Sequence, residues 1–109
     1  MKLLTRAIEA QLIKAEPDRP AEETPIVCKY FTPDAAATWF ICDGHKVENG
    51  DWLLFGFCDL GDRQMAELGY VSLKELESIR GGLGLPVERD LYYSGTLADV
   101  LSQYGKGWQ

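Results

Sequence analysis

The sequence predicts an α+β fold, a small antiparallel β-meander of about four strands packed with three helices. Three observations carry that prediction. Apolar and aromatic residues alternate in short runs between residues 25 and 71. Turn-forming pairs such as Asp43-Gly44 and Asn49-Gly50 separate those runs. Helix-start signals stand at Thr5, Ser72 and Thr96. With 46% hydrophobic and 26% charged residues, the 109-residue chain can build one core, so residues 1–109 are expected to form a single domain.

Thr5 is a plausible N-cap for a first helix over residues 6–15, with Ile8, Leu12 and Ala15 along one face. Residues 16–25 hold three prolines and four acids and read as an exposed loop within the domain. A first strand is expected over residues 25–31, and Thr32-Pro33-Asp34 turns the chain. Residues 38–42 are rich in β-branched and aromatic side chains and form the second strand. Asp43-Gly44 and Asn49-Gly50 bracket the hairpin connection into a third strand over 51–58. After the turn at Asp59-Leu60-Gly61-Asp62, residues 68–71 make a short fourth strand. Ser72-Leu73-Lys74-Glu75 is a capping box, and the helix it opens is expected to stop at a left-handed Gly81. Thr96-Leu97-Ala98-Asp99 opens the last helix, which Gly105 closes. Trp39, Phe40, Trp52, Phe55 and Phe57 alternate along the strands, so half of them need cover from a helix or a partner on the second sheet face.

The net charge of −6 lies entirely in residues 32–109, where twelve acids face six bases, while residues 1–31 balance five against five. No basic stripe is available for a phosphate backbone, which argues against direct nucleic-acid binding. No apolar run is long enough to span a membrane, and the start of the chain turns polar at once, so a cytoplasmic protein is expected. Cys28, Cys42 and Cys58 are an odd number among apolar neighbours and read as buried free thiols. Cys42-x-x-His45, with Cys28 and Cys58, offers zinc-type ligands but only one close pair, where structural zinc sites use two. No metal and no cofactor are expected. Gly81-Gly82-Leu83-Gly84 follows a helix instead of leading into one, so it reads as a turn and not a phosphate loop.

The candidate polar cluster is Glu75, Arg80, Glu88, Arg89 and Asp90, because Leu85-Pro86 would fold the Glu-Arg-Asp segment back toward the end of the second helix. Carboxylates beside arginines can do acid–base work if burial shifts them, or can form an ionic network that locks helix to loop. Arg89 is expected to pair with Glu75 or Glu77, since its planar fork suits a carboxylate.

Leu3-Leu4-Thr5, Phe31-Thr32-Pro33, Thr38-Trp39-Phe40, Phe55-Gly56 and Leu68-Gly69-Tyr70 carry a resemblance. So do Leu73-x-Glu75-Leu76-Glu77-Ser78-x-Arg80-Gly81 and Leu85-Pro86-x-Glu88-Arg89-Asp90-Leu91-Tyr92, the most specific stretches. Over roughly residues 1–101 the chain resembles the bacterial family called domain of unknown function 2958. Family members often have proline after Arg-Gly, where Gly82 stands here. The resemblance implies a small cytoplasmic protein of the kind encoded on plasmids and integrative elements, and it brings no catalytic residue with it.

Two functional readings remain. The first is a non-enzymatic accessory protein that meets other proteins through an acidic surface. Residues 34–67 carry seven acids against Lys46 and Arg63, enough to meet a basic protein surface, to mimic nucleic acid, or only to solvate a face. The alternative is a small hydrolase or transferase using Glu75, Glu88 or Asp90. Self-association into a homo-oligomer is compatible with both.

Overall fold

The computed structural model describes residues 1–16 and 18–106. In chain order the elements are α1 (Arg6–Lys14), β1 (Cys28–Phe31), β2 (Thr38–Lys46), β3 (Trp52–Asp59), β4 (Glu67–Ser72), α2 (Leu73–Ser78), β5 (Glu88–Asp90) and α3 (Leu97–Gln103). Single 3-10 turns stand at Ala21–Glu23 and Arg63–Met65. The α+β class is as expected, with one strand more than the sequence suggested. The strands form one antiparallel sheet in the order β4-β3-β2-β1-β5. After β4 the chain therefore crosses the sheet through α2 to add β5 at the far edge. Three consecutive charged residues hid β5 from the sequence, because edge strands tolerate charge that central ones do not.

Alternation along the strands splits the core in two. Tyr30, Trp39, Ile41, Trp52 and Leu54 form one face with Leu3, Leu4, Leu12 of α1, Leu76 of α2 and Val87. Phe40, Cys42 and Phe57 form the other with Ala21, Ile26 and three residues of α3, Leu97, Val100 and Leu101. The second set of aromatic residues is thus covered by the chain's own helix. Tyr104 completes that cover: its hydroxyl donates to Oδ2 of buried Asp59 at 2.7 Å, and the Arg63 guanidinium lies over its ring.

Several boundaries differ from the sequence reading. Asp43-Gly44 is not a turn. β2 runs on to Lys46 with a bulge between Ile41 and Asp43, and the Asp43 carboxylate accepts the Gly44 N–H at 2.7 Å. The hairpin turns only at Asn49-Gly50, where Gly50 has φ +86° and the Asn49 side chain accepts the Asp51 N–H. The first strand begins at Cys28, not at residue 25. Pro25, which lacks an N–H, instead forms an isolated bridge with Thr96, and the Ile26 N–H donates to the Gly95 carbonyl. α2 ends at Ser78, because Ile79 is already extended and packs against the first core. The left-handed glycine of that connection is Gly84, not Gly81.

The start of α2 is held twice. Ser72 accepts the Glu75 N–H and Glu75 returns the bond to the Ser72 N–H, which completes the expected capping box. Asp51, at the entrance to β3, adds Oδ1 as acceptor for the Lys74 N–H at 3.1 Å and the Trp52 N–H at 2.7 Å. We expect Ser72→Ala to lower stability by about 1 kcal/mol, the usual value of an N-cap. Asp51→Ala should cost about 1–3 kcal/mol, because Asp51 is nearly buried and two amides lose their acceptor. Asp51→Asn keeps one carbonyl oxygen and should cost less. Urea melts of the three variants check the ranking, and equal losses for Asn and Ala would show that Asp51 acts by charge instead.

Candidate functional site

The five residues of the candidate cluster fall in four places. Glu75 is engaged at the N-terminus of α2 as the capping-box acceptor. Arg80, beyond the other end of the same helix, donates through Nη1 to the carbonyls of Glu77 and Ile79, each at 2.8 Å. It thereby satisfies carbonyls that the helix end leaves open. Asp90, on β5, faces Lys29 in the neighbouring strand with Oδ2 at 3.7 Å from Nζ, and its Oδ1 accepts the Tyr92 N–H. Lys29 Nζ in turn lies over the rings of Phe40 and Tyr93.

Arg89 does not take a carboxylate partner among the described residues, contrary to expectation. Strand alternation sets it opposite Tyr30, where its Nη1 donates to the Lys2 carbonyl and its backbone N–H to Met1 Sδ. Beside it, the buried Tyr30 hydroxyl donates to the Leu3 carbonyl at 2.6 Å, and burial raises the Tyr30 phenol above its ordinary pKa. Arg89 and Tyr30 together pin the first residues of the chain against the sheet. Arg80 and Glu88 both line a cleft of about 390 Å³ bounded also by Met1, Lys2, Leu76 and Glu77. This cleft mixes both signs of charge.

The thiols lie in apolar surroundings. Cys28 and Cys42 are buried on opposite faces of the sheet, and burial pushes each thiol from 9.0 up to about 11. Cys58 is half-buried and is pushed up equally, by burial and the Glu67 carboxylate. Such thiols stay protonated near neutrality and make poor nucleophiles. His45 is exposed while Cys42 sits in the bulge of β2 and packs into the core. Among the described residues no three His, Cys, Asp or Glu side chains converge to hold a metal ion. No described helix is long and apolar enough to cross a membrane. The glycine-rich turn is occupied by the chain itself, since Asp34 Oδ2 accepts the Leu83 and Leu85 N–H groups at 2.7 and 3.2 Å. A Cβ on Gly81 would lie 1.6 Å from Asp34 Oδ1, so glycine there makes room for that carboxylate.

A feature the sequence reading missed lies at the β4 edge. Leu60, Met65 and Tyr70 are largely exposed and Leu68 partly so, around a hollow of about 400 Å³ that Cys58, Asp62, Glu67 and Gly69 also line. Tyr70 leans on Phe55 at 4.9 Å between ring centroids. Position in the meander was the available signal: β4 is its last strand, and a glycine inside a strand commonly marks an edge or a close approach.

Fold and site define an α+β domain whose sheet is helix-covered on both faces and open along one edge. A family model described as protein of unknown function, DUF2958, matches residues 3–107, and the chain belongs to that family. No curated protein and no solved structure matches it.

Proposed function

We propose that the protein is a non-enzymatic interaction module, an accessory factor of mobile genetic elements that docks other proteins at the β4 edge. The observation that carries this reading is the exposed strip of Leu60, Met65, Leu68 and Tyr70 beside Asp62 and Glu67. Apolar area at the centre of a patch supplies affinity, and carboxylates around it select a basic partner. The engagement of Glu75 as a helix cap and of Asp90 with Lys29 supports the same reading, because both carboxylates already have structural work.

A photo-cross-linking residue at Tyr70, compared with one at equally exposed Ile13 on α1, tests it in host cells. A discrete adduct is expected from position 70 and not from position 13, and it should be lost when Leu68→Asp is added. Equal labelling at both positions, or none at Tyr70, would remove the β4 edge as the docking surface.

A further inference from the structure

The two edges of the sheet are built differently. β5 is three residues long, carries only charged side chains, and is overlaid at Arg89 by Met1 and Lys2. β4 is six residues long and has neither lysine nor proline. The outward backbone groups of residues 67–71 meet no hydrogen-bonding partner among the described residues beyond β3. Edges of soluble proteins are ordinarily guarded by charge, proline, brevity or cover. β5 has such guards, whereas Glu67 is the one charged side chain of β4.

The middle of the open edge has a gap in its row of side chains. Gly69 stands opposite Gly56 of β3, and a Cβ placed on Gly69 would meet nothing within 4 Å. The gap adjoins the hollow formed by Cys58, Leu60, Met65, Leu68 and Tyr70. A large side chain on a neighbouring strand fills such an edge glycine well.

The geometry points to one occupant: an extended segment of another protein that adds to β4 as a sixth strand. It seats an aromatic side chain opposite Gly69 and carries lysine or arginine toward Asp62 and Glu67. This rests on the reading of the β4 edge as the docking surface, and names what docks there. Backbone pairing supplies affinity in strand addition, and the notch and carboxylates supply selectivity. A second copy fits the edge less well. Two-fold pairing centred on Gly69 sets glycine against glycine, leaves the hollow unfilled and brings together two chains of charge −6.

The probe is a short synthetic peptide alternating lysine and threonine about a central tryptophan, titrated into the isotope-labelled full chain and followed by NMR. Saturable shifts are expected at residues 67–72 and at Cys58, weakening as salt rises. Replacing the tryptophan by alanine, or N-methylating alternate backbone amides of the peptide, should weaken binding by roughly tenfold or more. Gly69→Val should do the same while leaving the protein folded, because its side chain enters open space on an edge strand. Glu67→Lys should reverse the preference from the lysine peptide to its glutamate counterpart. Undiminished binding by Gly69→Val, shifts away from β4, or concentration-dependent dimerisation through β4 without peptide would each overturn the strand-addition proposal. If the cross-link at Tyr70 persists while the peptide fails, strand addition is wrong and the docking surface stands. If both fail, the docking surface is wrong as well.

Discussion

Gly56→Ala should destabilise the protein by about 3 kcal/mol or more, beyond the usual range for an added methyl group in a packed core. A Cβ on Gly56 would sit 1.9 Å from the Phe40 carbonyl oxygen and 2.8 Å from Ile41 Cα. Those are backbone atoms of the neighbouring strand β2, immediately before its bulge, so no rotamer change relieves the clash. Relief requires β2 and β3 to separate where Phe40 and Phe57 anchor one core and Ile41 and Leu54 the other. The partner glycine provides an internal control. Gly69 lies directly across from Gly56 in β4, yet its missing Cβ faces open space, so Gly69→Ala should leave stability unchanged or slightly raised. Chemical denaturation of the two variants side by side decides the matter. Similar midpoints for both would mean that β2 and β3 do not approach as closely as the structure shows.

That pair of glycines also shows where sequence reasoning stops. Both occur in apolar strand runs and look alike in one dimension. Only the register of β3 between β2 and β4 makes one a point of closest approach and the other a notch. Local signals were legible where the physics is local: Thr5, Ser72 and Thr96 cap α1, α2 and α3 as their side chains require. The Asp43-Gly44 reading failed for the opposite reason. Its turn propensity yielded to cross-strand pairing of β2 with β3, and a bulge absorbed the mismatch. The candidate cluster is divided in space for a similar reason, with only Arg80 and Glu88 on one cleft. Glu75, Arg80 and Asp90 are close in sequence to one another's elements, but α2 carries the chain across a whole sheet before β5 begins. Arg89 found a backbone carbonyl of Lys2, a partner that no charge pattern announces. The β4 edge was hidden because exposure of Leu60, Met65 and Tyr70 follows from strand order, which alternation alone leaves undetermined.

The protein should lose a measurable share of its stability at alkaline pH, because two thiols are buried in its cores. Cys28 and Cys42 each lie buried in a different core, and each folded thiol is held at about 11 against an ordinary 9.0. A folded-state pKa above the unfolded one means that the unfolded chain releases its protons first as pH rises. The stabilisation is therefore complete below about pH 9 and is lost progressively up to pH 11. At about pH 10 the linkage amounts to about 1.4 kcal/mol per thiol, or about 3 kcal/mol for Cys28 and Cys42, and half-buried Cys58, raised equally, adds to it in the same sense. That is a large share of the 5–15 kcal/mol typical of a folded domain, roughly speaking. Higher still, Tyr104, raised from 10.0 to about 12 by burial and by its bond to Asp59, adds the same sign of dependence. Urea midpoints measured with a reductant present should fall steeply between about pH 9 and about pH 11. Cys28→Ala and Cys42→Ala will each shift the starting stability, but the informative readout is the slope against pH, which each substitution should flatten by about half of the two-thiol effect. An unchanged slope in the double variant would mean that other groups carry the alkaline transition, and a flat wild-type profile would mean that neither thiol is sealed from water in the folded chain.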